Sequence, residues 1–158
     1  APPREEAGPQ SGEGEMYDHG MIAPVVALVI WSLLMLIWLY ATRIPAMAAA
    51  KLKPGQATKA QMEALPVANV ASNYNHLMEQ PTLFYALCFA LQLLDQANDI
   101  NIGLAWLYVA LRVVHSLVQA TVNIIILRFT IFMIASLVLG ALAVHAAMAV
   151  GMAQWSFG

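Results

Sequence analysis

Side chains able to do chemistry are scarce in this sequence, and most of them fall in two runs. In the run from Arg112 to Arg128, RVVHSLVQATVNIIILR, the residues His115, Gln119 and Asn123 follow Arg112 by three, seven and eleven positions. At about 100° per residue that spacing puts all four on one narrow helical stripe, with Val, Leu and Ile filling the remaining circumference. The second run places Asn69, Ser72, Asn73, His76 and Gln80 on one face, with Glu79 on its flank. A guanidinium on a hydrocarbon-spanning segment is costly unless it meets a partner or a water-filled cavity. Glu79 is the only acidic residue well inside an apolar segment, and Arg112 the only basic one. Counted from the helix ends, each lies about thirteen to fifteen residues deep at 1.5 Å per residue. An ion pair between them is predicted, with the two polar faces turned toward each other or toward a shared cavity. Such a pair serves either as glue between helices or as the wall of a polar pocket on the side where Arg43 and Arg128 lie. Arginine suits carboxylates and stabilises a thiolate electrostatically.

Other chemistries find less support. His76, Glu79 and His115 lack the tight repeat of a metal site, so no metal is expected. Cys88, the single cysteine, lies in an apolar run and reads as a small buried hydrophobe. No phosphate loop, nucleotide fingerprint or nucleophile elbow is present. A net charge of −2 gives no reason to expect a nucleic-acid partner.

The elements that must position the polar runs are membrane helices. Of 158 residues, 61% are hydrophobic and only 10% charged, where a soluble domain carries roughly 25% charged residues. Residues 1–19 are rich in Pro, Gly and Glu and are expected to form a flexible acidic tail; residues 20–158 form the membrane domain. Four spans are predicted, running up and down: about 20–42, 66–96, 102–126 and 129–152, each long enough for a bilayer core of about 30 Å. Pro81 should kink the second span beside Glu79. On the fourth, Ser136, Gly140, Ala143, Ala147 and Gly151 follow a small-residue spacing that lets helix backbones approach closely; His145 there is expected to be packed or lumen-facing. The connection 43–65 holds Arg43, Lys51, Lys53 and Lys59 against one acidic residue, Glu63. The positive-inside rule makes this loop cytoplasmic and leaves both termini on the opposite side.

With these residues in place, the chain resembles a known family. Asn73-Tyr-Asn75-His76-Leu-Met-Glu79-Gln-Pro81-Thr-Leu-Phe84-Tyr85, then Leu107-Tyr-Val-Ala-Leu-Arg112-Val-Val-His115-Ser116, then Asn123 and Arg128, resemble the MAPEG family, the membrane-associated proteins of eicosanoid and glutathione metabolism, and most of all its bacterial branch. The resemblance implies an all-α integral membrane protein of four helices, assembled as a homotrimer, in a bacterial inner membrane. It implies glutathione bound between neighbouring subunits at the cytoplasmic side. Arg128 matches the arginine that activates the glutathione thiol. Arg43, Asn75, His76, Glu79, Arg112 and His115 match or neighbour the positions that hold the cofactor and its supporting ion pair. The second helix carries Ser72, Asn75 and His76 where relatives place arginines, and Gln119 stands where a tyrosine is common.

Two functions follow as expectations. One is a glutathione-dependent transferase or peroxidase acting on lipophilic electrophiles from the bilayer. The alternative is a non-catalytic accessory subunit that keeps the fold and joins other membrane proteins in a larger complex.

Overall fold

A computed structural model of the chain describes residues 20–155; the tail expected over 1–19 lies outside them. Six helices follow in order: α1 (Ile22–Ala49), α2 (Lys59–Glu63), α3 (Ala68–Glu79), α4 (Pro81–Leu93), α5 (Asp99–Ala120) and α6 (Ile125–Trp155). Three stretches are long and apolar enough to cross a membrane: Ile22–Ala49, Asp99–Ala120 and Ile125–Gly151. The exteriors match that reading. Ile37, Leu83, Leu93 and Leu137 are each at least 60% exposed, while Arg112, Asn73, Ser116 and Gln119 are buried. Apolar outside and polar inside is the arrangement a bilayer selects.

The second expected span is divided. Pro81 supplies no N–H to the turn before it, so α3 and α4 meet at Gln80 as helices of 12 and 13 residues. Gln80 keeps helical dihedrals (φ −60°, ψ −39°), so the chain passes through the break without turning back.

Other boundaries moved further. The first helix continues past the expected end near Thr42, through Pro45, to Ala49. Its terminus is a Schellman motif: Lys51 N–H donates to the Ala48 carbonyl and Leu52 N–H to the Met47 carbonyl, with Lys51 at φ 56°. Glycine is the relaxed choice there, and an L-residue costs ~1–2 kcal/mol. Thr58 and Gln61 then form a reciprocal capping box that starts α2.

The third helix stops at Ala120, short of the expected Ile126, and Asn123 sits in the following turn at φ 50°. Asn123 therefore does not extend the α5 stripe. Its N–H donates to the Val118 carbonyl, and α6 begins early enough to include Arg128.

The core lies where α1, α4, α5 and α6 converge, around Leu28, Phe84, Cys88, Leu91, Tyr108 and Leu142. Phe84 stacks on Tyr108 with ring centroids 4.5 Å apart. Cys88 is a buried free thiol among apolar neighbours, in keeping with its sequence environment. The small-residue spacing on α6 does not serve this core. Ala135, Leu139, Leu142 and Ala146 face inward, whereas Gly140, Ala143 and Ala147 are exposed.

Candidate functional site

The two polar faces do meet, and hydrogen bonds between neutral groups join them. From one end of the α3–α5 seam to the other, Asn123 Nδ2 donates to Asn69 Oδ1 at 2.9 Å, Gln119 Nε2 to Ser72 Oγ at 2.9 Å, and Asn73 Nδ2 to Ser116 Oγ at 2.6 Å. Near the α3–α4 break, Tyr108 donates its hydroxyl to Gln80 Oε1 at 3.2 Å, and Gln80 Nε2 donates to Ser136 Oγ on α6 at 2.7 Å. Each contact removes a polar group from hydrocarbon, and such bonds in membranes are worth about 0.6–2 kcal/mol.

The expected Glu79–Arg112 ion pair is absent. Arg112 is only 1% exposed, and its Nη2 donates to the His76 carbonyl at 2.9 Å. Glu79 points out of the bundle with its Oε2 3.5 Å from His76 Nδ1, and its side chain is 69% exposed. The physical reason lies in the break. Pro81 brings no N–H to the Leu77 carbonyl, so α3 ends there and its C-terminus carries partial negative charge. Arg112 answers that charge through the His76 carbonyl, while Thr82 Oγ1 donates to the Glu79 carbonyl at 2.7 Å. The helix end replaces the carboxylate as the guanidinium's contact, and Glu79 acts on Arg112 only as a longer-range charge.

The remaining site residues gather in two places. A cavity of about 250 Å³ is lined by His76, His115 and Arg128 with Ile125, Phe129 and Phe132. Here the His76 and His115 rings lie edge to face at 6.3 Å, and His115 lies 6.2 Å from the Phe132 ring. Asn123 Oδ1 accepts from Arg128 Nη1, so the turn that ended α5 also orients this arginine. Arg128 Nε and His115 Nδ1 are buried with no hydrogen-bond partner among the described residues. A second cavity, of about 350 Å³, is lined by Arg43, Lys59, Met62, Glu63, Ala68, Ala71, Ser72 and Asn75. It shares no lining residue with the first. The structure thus brings together His76, His115 and Arg128, and separately Arg43 and Asn75.

Sequence reading missed several members of this arrangement. Ser116, the partner of Asn73, immediately follows His115 and was hidden by its small size. Ser136 drew notice only for its smallness, although its hydroxyl accepts from Gln80. Phe132 lies one turn beyond Arg128, and that spacing could have marked it as a wall of the same cavity.

Chemically, the first cavity offers a fixed cation and two imidazoles beside aromatic and aliphatic walls. That combination suits an anionic nucleophile beside an apolar reactant. The second offers Arg43 and the Asn75 amide beside a Lys59–Glu63 pair, and the arginine and amide suit a carboxylate and peptide groups.

No curated protein and no solved structure matches the chain. The family model described as "MAPEG family" matches residues 21–148, which is most of the sequence and includes every site residue above, and the chain accordingly belongs to the MAPEG family of membrane proteins.

Proposed function

We propose that the protein is a glutathione-dependent transferase or peroxidase acting on lipophilic electrophiles drawn from the bilayer. The observation that carries this reading is Arg128, oriented by Asn123, with a buried unpartnered N–H, in an apolar-walled cavity beside two histidines. A thiol of pKa about 8.5 is mostly protonated at neutral pH, and a nearby guanidinium favours its thiolate. Glutathione would supply the nucleophilic sulfur. Arg128 donates to that sulfur and stabilises its charge, the thiol proton leaves to water, and the Phe129 and Phe132 walls receive the apolar partner. In conjugation a carbon–sulfur bond forms as the bond to the leaving group breaks, and the leaving group departs with the electron pair.

Glutathione carries two carboxylates, and a cavity holding one arginine does not match them alone. Arg43 and Asn75 in the second cavity fit the missing half, with Lys59 beside them paired to Glu63. In a homotrimer, the second cavity of one subunit would face the first cavity of its neighbour, completing the site between them. Three features support this assembly. The two half-sites share no residue, the small-residue face of α6 is exposed, and α3 with α4 spans about 39 Å at 1.5 Å per residue as the fourth crossing. The basic connection after α1 favours a cytoplasmic site with both termini on the other face of a bacterial inner membrane.

One observation favours the accessory-subunit reading. Arg128 is the only arginine among the described residues that line its cavity, and one of its N–H groups is already bonded to Asn123. Glutathione conjugation to chlorodinitrobenzene decides between the two. The purified protein is expected to exceed background, and Arg128→Ala to lose about 100-fold or more in kcat/KM. The difference should narrow above about pH 8.5, where the thiol ionises unaided. Background rates from both proteins would remove the enzyme reading and leave the accessory role.

A further inference from the structure

A third polar feature lies outside both cavities. The connection between α1 and α2 borders an open groove of about 260 Å³ lined by Lys51, Leu52, Lys53, Gln56, Ala57 and Gln61. No carboxylate lines it. Lys59 is ion-paired to Glu63 at 3.6 Å, whereas neither Lys51 nor Lys53 has an ion-pair partner among the described residues. Gln61 Oε1 accepts the Thr58 N–H, so its amide group is left with donors only. Two ammonium groups and amide donors without a negative neighbour form the donor set of an anion site.

Depth says which anion. The 28 residues of α1 extend about 42 Å, against about 30 Å of hydrocarbon and 40–45 Å with headgroups. The Schellman turn at its end therefore lies at headgroup level. Ile44, just before it, is 63% exposed and faces the lipid side of the same helix end. Lys51 occupies the motif's left-handed position, where glycine would be relaxed.

We propose that Lys51, Lys53 and the Gln61 amide bind the phosphate of an anionic phospholipid headgroup, tying the α1–α2 connection to the bilayer surface. The claim does not depend on glutathione binding, because none of these three residues lines either cavity of the proposed active site.

Native mass spectrometry of the full chain, released from micelles with phosphatidylglycerol or phosphatidylcholine of matched chains, reads the binding directly. The wild-type protein is expected to retain phosphatidylglycerol in preference to phosphatidylcholine. Lys51→Gln with Lys53→Gln should weaken that retention about thirtyfold, from roughly fivefold per lysine near a membrane surface. Lys51→Arg with Lys53→Arg should keep it, which separates lost binding from lost folding. Lys59→Gln removes a charge outside the space and should change retention less than twofold. Equal losses from Lys59→Gln and Lys51→Gln would overturn the proposal in favour of diffuse charge. Unchanged retention in the double glutamine variant would overturn it outright. Full displacement of the lipid by millimolar glycerol phosphate would show a soluble phosphate site and overturn the lipid assignment.

Discussion

Two neighbouring stretches of the α3–α5 seam handle buried polarity in opposite ways. In one, Asn69 meets Asn123, Ser72 meets Gln119 and Asn73 meets Ser116, neutral group to neutral group. In the other, one turn along, Arg112 makes a single hydrogen bond, to a backbone carbonyl, and His115 Nδ1 makes none. Short amides and hydroxyls reach across the seam to each other, Asn123 accepting from Arg128 as well, so they fix the register of the two helices. The charged and imidazole groups border a cavity or a broken helix end instead, where a ligand or a backbone group is within reach. Polarity in this membrane domain therefore divides by chemistry: neutral pairs hold the seam, and basic groups face the places where the helices leave something unfilled.

Substitutions at Arg112 give the strongest stability test of that division. Arg112→Met keeps most of the volume but removes the hydrogen bond by which the guanidinium ties α5 to the end of α3. About 2 kcal/mol of stability should be lost in detergent unfolding, within the range for a hydrogen bond made by a charged group. No loss would mean that the guanidinium does not cap α3. The neutral stretch should respond more weakly. A double-mutant cycle of Asn73→Ala and Ser116→Ala should return a coupling of about 0.6–1.7 kcal/mol, as measured bonds between membrane helices do. A coupling near zero would demote the pair from register-setting to incidental.

Much of this division was legible in the residues before any coordinates. Helical spacing alone placed Arg112, His115 and Gln119 on one face and Asn69, Ser72, Asn73 and His76 on another, and hydrocarbon leaves such faces little choice but to meet. The break at Pro81 was equally readable, because a missing N–H has a local consequence. What followed from the break was not. Arg112 and Glu79 were matched by depth and opposite charge, yet the freed end of α3 competes for the same guanidinium, and backbone carbonyls leave no mark in a sequence. Asn123 shows a second limit: its position on the stripe held only while the helix continued, and the left-handed turn moved it beside Arg128. The split between the Arg43–Asn75 cavity and the Arg128 cavity was hidden for a third reason. Residues contiguous in sequence, such as Asn75 and His76, lie about 100° apart on a helix and can serve different neighbours.

The smallest expected effect on stability is the most informative one, and it belongs to His115. If the basic stretch served as glue, removing this imidazole would cost as much as breaking a neutral pair. Its Nδ1 has no partner among the described residues, however, so a ring without nitrogen orphans none of them. His115→Phe retains an aromatic ring of similar size beside His76 and Phe132 and should shift unfolding by less than about 1 kcal/mol, as volume-conserving swaps do. Kinetics should move instead. The ring lines the Arg128 cavity, and losing one hydrogen-bonding group there should lower kcat/KM for glutathione conjugation by about tenfold, the worth of roughly 1.4 kcal/mol. Stable protein with impaired turnover would set His115 apart from Asn73 and Ser116 as a group that faces ligand. A large stability loss with unchanged turnover would reverse the assignment, because the imidazole would then be holding the helices together as the neutral pairs do.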